Sequence, residues 1–114
     1  MKENAEFRRG VTLFNAGKYF ESHEVWEELW LEASGDEKTF LQGLIQVAAS
    51  FHHFEQGNVL GMRSLLAAGL TKLDGAPDMH WGIDVAKLRQ DAREWGGRED
   101  QAQSLPRICL RSEV

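Results

Sequence analysis

At 114 residues, 42% of them hydrophobic and with four Trp and six Phe among them, the chain can bury one core and is too short for two. Its formal net charge of −5 and scattered basic residues, closest to a cluster at Arg107 and Arg111, exclude the massed Lys/Arg face that a phosphate backbone requires, so nucleic acid is not an expected partner. The single cysteine, Cys109, can form no internal disulfide, and no charged-then-apolar leader opens the chain, so a cytoplasmic location is expected.

Only two prolines occur, Pro77 and Pro106, and neither interrupts an apolar-periodic run. The expected class is therefore all-α: a compact bundle of about five helices, built from two helix-turn-helix hairpins plus a C-terminal helix and tail. In the first helix Phe7, Val11 and Phe14 recur at helical spacing, and the run stops where Gly17 can take the left-handed cap conformation. A second helix is expected from about Tyr19 to Ala33, ending at Ser34-Gly35-Asp36. Asp36 reads as the N-cap of a third helix that runs to Gly57.

From Thr39 to Phe54 the third helix carries no charged residue, but it is short and contains Gln42, Gln46, Ser50, His52 and His53. A membrane span needs about 20 mostly apolar residues, so this is expected to be a buried helix and no membrane is implied. Asn58 reads as the N-cap of a fourth helix striped by Val59, Met62, Leu66, Leu70 and Leu73. After the connector from Asp74 to Ile83, Asp84 caps a fifth helix striped by Val85, Leu88, Ala92 and Trp95 and ended by Gly96 and Gly97. Residues 1–97 then form the bundle domain. The tail, 98–114, is polar except for Leu105, Ile108, Cys109 and Leu110, by which it can dock.

An internal repeat is also visible. When Phe7 is laid on Val47, Val11 falls on Phe51, Phe14 on Phe54, Gly17 on Gly57, Phe20 on Leu60 and Trp26 on Leu66. Two stacked hairpins would give this pattern, and two units are too few for a solenoid.

The chemistry concentrates in the second helix, at Ser22-His-Glu-Val-Trp-Glu27. With about 100° of turn per residue, His23 and Glu27 fall between one apolar group (Tyr19, Trp26, Leu29, Trp30, Ala33) and another (Phe20, Leu31), and both are expected to point inward. Glu24 sits on the margin, whereas Glu21, Glu28 and Glu32 gather on a solvated face. A buried imidazole and carboxylate need partners. The third helix offers an uncharged stripe of Gly43, Gln46, Ser50, His53 and Gly57, and the fourth offers Arg63 between Ala67 and Leu70. The expected constellation is His23, Glu24, Glu27, Gln46, His53 and Arg63.

Trp26 and Trp30 read as core residues, with a nearby carboxylate as acceptor for each indole N–H. His80 and Trp81 in the connector are expected to dock over the bundle. Cys109 reads as a buried, inert thiol.

These residues resemble a known family, the domain of unknown function numbered 309 (DUF309). The resemblance rests on FNAGKYFESHEVWEELW, on LQGLIQVAASFHHFEQGN and on GIDVAKL, and covers most of the chain. It implies an all-helical bundle whose signature, His-Glu-x-x-Glu-x-x-Trp, is carried by His23, Glu24, Glu27 and Trp30. Downstream family elements fall on Gln42, Gly43, His53, Gly57 and Asn58. No reaction is implied by it.

The favoured functional reading is a non-catalytic binding or protein-interaction module, its polar cluster holding the register of helices two to four. The partner would be an unidentified protein or small molecule, and the aromatic surface would allow a homo-oligomer. A second reading is a metal-dependent hydrolytic enzyme, in which an HExxH-like helix has Glu27 at the second ligand position. His23, Glu27 and His53 would then hold a divalent metal, with Glu24 as base. A third is a metal-free imidazole and carboxylate pair acting in acid–base chemistry, for which the sequence names neither substrate pocket nor oxyanion donor.

Overall fold

Apolar periodicity becomes helix along most of the computed structural model, which describes residues 3–97 and 105–110. The helices are α1 (Glu3–Asn15), α2 (Tyr19–Glu32), α3 (Gly35–Glu55), α4 (Val59–Leu73) and α5 (Val85–Gly96). Between α4 and α5 lies a short antiparallel hairpin, β1 (Met79–His80) and β2 (Ile83–Asp84), with His80 paired to Ile83. The fold is an all-α bundle that carries this one small sheet among the described residues. None of their helices is long and apolar enough to cross a membrane.

The turns after α1 and α3 close in the same way. Gly17 and Gly57 adopt left-handed φ values of +81° and +82°, a region in which a side chain would be strained. The Lys18 N–H donates to Leu13 O at 2.9 Å and Gly17 N–H to Phe14 O at 3.0 Å; Asn58 N–H donates to His53 O at 2.8 Å and Gly57 N–H to Phe54 O at 3.0 Å. Each pair of bonds is a Schellman closure, so the offset that lays Gly17 on Gly57 extends to the turn hydrogen bonds.

Asn58 and Asp84 cap as their sequence positions indicate, accepting from the N–H of Gly61 at 2.9 Å and of Lys87 at 3.0 Å. Asp36 does not. The N-cap position of α3 is Ser34, whose side chain makes no cap bond, and α3 begins at Gly35. Asp36 instead stands in the first helical turn, where the helix dipole favours a carboxylate.

Core packing follows the apolar stripes. Phe7, Val11 and Phe14 of α1 meet Trp26 of α2 and Phe40 and Phe51 of α3, all buried. Two side chains of α2 also bond to α1 carbonyls: Ser22 Oγ donates to Gly10 O at 2.9 Å, and Trp26 Nε1 donates to Phe7 O at 3.2 Å. A backbone carbonyl, not a carboxylate, is therefore the acceptor for Trp26. Where α3 crosses α4 the backbones touch, since a Cβ on Gly69 would lie 2.8 Å from Gly43 O. Burial pushes the Tyr19 phenol up to about 12; the nearby Glu55 carboxylate adds to the rise and Arg107 opposes it.

The described part of the tail is docked. The Asn15 side chain donates to Ile108 O and accepts from Ile108 N–H, both at 2.8 Å, pairing with that backbone as a strand would. Asp84 N–H donates to Cys109 O at 2.9 Å, and Ile83 bridges Leu110. Of the four apolar tail residues Ile108 is buried and Leu105 half-buried, while Leu110 is exposed. Cys109 is half-buried, not buried as expected. Residue Arg111 lies outside the described residues.

Candidate functional site

The face that α2 turns inward carries Tyr19, Ser22, Val25 and Trp26. Glu27 lies further round and is exposed, so its expected inward orientation is corrected, whereas His23 is half-buried at the edge of that face. Phe20 and Leu31, the second apolar group of the helix, stand 49% and 66% exposed. The wedge between the two apolar groups is thus a rim facing water. The Glu27 side chain is 52% exposed and that of His23 is 25% exposed. Glu24 is exposed as well.

His23 Nε2 lies 3.7 Å from Glu27 Oε2, close enough for an ion pair when the imidazole is protonated and too long for a hydrogen bond. His23 Nδ1 is shielded from solvent and bonds to none of the described residues. The Phe20 ring stacks on His23 at 5.9 Å and leans on His52 of α3 at 5.5 Å. Trp30 is half-buried, with Lys38 Nζ 4.3 Å from its ring centroid, a cation–π contact that ties the end of α2 to the start of α3. Phe20, His23, Glu24, Glu27, Trp30 and Leu31 form a continuous outer ridge on α2.

The remaining expected partners lie elsewhere. The His53 ring turns to the α3–α4 corner, where Nδ1 is 3.0 Å from Asn58 Nδ2. Arg63 is exposed on α4 and borders a groove toward Arg93 and Gly96 of α5. Gln46 is half-buried on α3, with Oε1 shielded and bonded to none of the described residues. His23, Glu24, Glu27, Gln46, His53 and Arg63 therefore do not form the single buried network expected of them. Among the described residues no three His, Cys, Asp or Glu side chains are placed to hold a metal ion. His23, Glu27 and His53 are accordingly not placed as a ligand set, and the His53 ring is engaged with Asn58 at the corner.

A second constellation is visible only in the structure. A cleft of about 540 Å³ opens between the start of α3 and the end of α4, lined by Asp36, Glu37, Phe40, Lys72, Pro77 and His80 among others. His80 Nε2 is 3.3 Å from Glu37 Oε1. The imidazole stands edge-on to Phe40 at 4.6 Å and stacks on Trp81 at 5.7 Å. Trp81 and Gly82 both take left-handed φ, +52° and +79°, forming the two-residue turn that matches strand twist and presents His80. As expected, Trp81 docks over the bundle, with its edge contact on Phe7 at 5.0 Å. The available sequence signal is the His-Trp-Gly step between Met79 and Ile83, which suits a tight hairpin. The long-range partner Glu37 has no local signal.

The family model described as a domain of unknown function, DUF309, matches residues 7–65. That span contains the α2 ridge, Gln46, His53 and Arg63, and stops before His80. An uncharacterized protein from Aquifex aeolicus (strain VF5) is 28% identical over 88 residues, which make up 76% of this chain and 26% of that protein. The chain thus spans about a quarter of the length of that relative. The crystal structure of a conserved hypothetical protein from Thermus thermophilus is 38% identical with a TM-score of 0.69, covering 80% of this chain and 95% of that one.

Proposed function

The chain belongs to the DUF309 family, and on that premise we propose that it is a non-catalytic protein-interaction module whose contact face is the outer ridge of α2 with the adjoining edge of α3. The exposure of Phe20 and Leu31, on the same ridge as the signature residues His23, Glu24, Glu27 and Trp30, carries this reading. Phe20 and Leu31 stand about three turns apart at the two ends of the ridge with Glu24 and Glu27 between them, so a partner helix or strand laid along α2 would meet apolar contacts at both ends and carboxylates in the middle.

Charge narrows the partner. Five glutamates lie on α2 (Glu21, Glu24, Glu27, Glu28 and Glu32), and the helix has neither Lys nor Arg. A complementary segment presents apolar residues toward Phe20 and Leu31 and Lys or Arg toward Glu24 and Glu27. Such complementarity steers encounter and is weakened by salt.

Photo-crosslinking in the cells that produce the protein tests this reading. A benzophenone amino acid at position 31 on the ridge should capture a partner of defined mass, and Glu24→Lys with Glu27→Lys should reduce the yield. The same probe at position 12, exposed on α1, should capture none. Equal yields at both positions, or no adduct at position 31, would count against the ridge.

A further inference from the structure

The cleft between the first turn of α3 and the last turn of α4 shares none of its lining residues with the α2 ridge. We propose that it binds a small zwitterion of the amino-acid type with an apolar side group, its ammonium held by Asp36 and Glu37 and its carboxylate by Lys72. At about 540 Å³ the cleft falls within the size range of small-molecule sites, about 300–1,000 Å³.

The apolar part of its lining is Ala76 and Pro77, with the little of the Phe40 ring that the core leaves uncovered. Its walls carry opposite charges from facing helices, with Asp36 and Glu37 on α3 and Lys72 on α4. Among the described residues neither Asp36 nor Lys72 enters an ion pair, so the two charges face one cavity without meeting across it. A ligand bearing both complementary charges would satisfy both walls, whereas a simple cation would leave Lys72 unmet and a simple anion would leave the carboxylates unmet.

Acidic residues at a helix start and a lysine at a helix end also suit the helix dipoles. That accounts for each charge separately. It does not account for a roomy cavity between them, or for the imidazole that Glu37 orients at its edge. The site is also built in advance. His80 is fixed between Phe40 and Trp81, and the Gly75–Pro77 wall is held from behind by Arg89, whose guanidinium donates to Leu73 O at 2.8 Å and Ala76 O at 3.2 Å. Preorganisation of this kind lowers the cost of ordering a site on binding.

Two-dimensional NMR of the full chain, titrated at millimolar concentration with L-leucine, N-acetyl-L-leucine and L-leucinamide, tests the assignment. L-leucine should shift the resonances of Phe40, Lys72, Gly75 and His80 saturably. Each derivative, lacking one charge, should bind about tenfold more weakly, the loss of one charge-assisted contact. Lys72→Met should weaken leucine while leaving leucinamide unchanged, and Glu37→Gln should weaken both. Absence of saturable shifts, equal affinity for all three compounds, or shifts centred on the α2 ridge would overturn the proposal. Leucinamide binding as tightly as leucine would also overturn it, in favour of a plain cation site.

Discussion

Replacing Gly10 by Ala is expected to destabilise the protein by about 3 kcal/mol, although alanine is the better helix former by about 1 kcal/mol. The two effects oppose each other, and packing decides the sign. A Cβ at position 10 would overlap Trp26 Nε1 and lie 2.6 Å from Cδ1 and Cε2 of the same ring. The indole cannot easily retreat: it is fully buried, stacks on Phe7 at 6.0 Å, and donates to Phe7 O. Urea unfolding measures the loss. Trp26→Phe in the Gly10→Ala background removes the atoms that clash, so a double-mutant cycle should show that the two substitutions together cost less than the sum of each alone. A neutral or stabilising Gly10→Ala would mean that α1 and α2 are further apart than described.

The second large effect is expected at Arg89, whose side chain is only 14% exposed. Besides its bonds to Leu73 O and Ala76 O, it donates to Asp78 Oδ1 at 2.5 Å, closing the end of α4 onto the connector. Arg89→Ala leaves two carbonyls without this donor and is expected to cost about 1.5–3 kcal/mol, the range for hydrogen bonds to charged groups. Arg89→Lys should recover little, because one ammonium cannot reproduce the planar fork. Hydrogen exchange provides the local readout. Amides from Asp74 to Asp78 should exchange faster in Arg89→Ala while those of α1 change only with global stability.

What is legible in the sequence is what local chemistry specifies. Gly17 and Gly57 close helices by backbone conformation, and Asn58 and Asp84 cap them by bonds that span three residues. Asp36 reads wrongly as a cap because Ser34 and Asp36 are both plausible cap types and the break between α2 and α3 is only two residues long.

The orientation of α2 departs further from expectation, and the cause is physical. A helix with apolar residues on two sides gives the same periodic signal whichever side is buried. The discriminating residue is Ser22, small enough for α2 to approach α1 and able to bond to Gly10 O; Gly10 makes room for Trp26 on the opposite helix. Ser22 and Trp26 are thus the inward pair, and His23 and Glu27 lie beside them on the rim. The cleft is out of reach of sequence for a different reason. His80 meets Glu37, and Arg89 meets Leu73, only after the connector folds back across the bundle.

The functional reading depends on the two carboxylates of the family signature, Glu24 and Glu27, facing water. Equilibrium unfolding of Glu27→Ala tests it most directly. With a half-exposed carboxylate 3.7 Å from His23, the substitution should change stability by no more than about 0.5 kcal/mol. A loss of about 3 kcal/mol or more, as expected when one partner of a buried ion pair is removed, would contradict the account and return Glu27 to the interior.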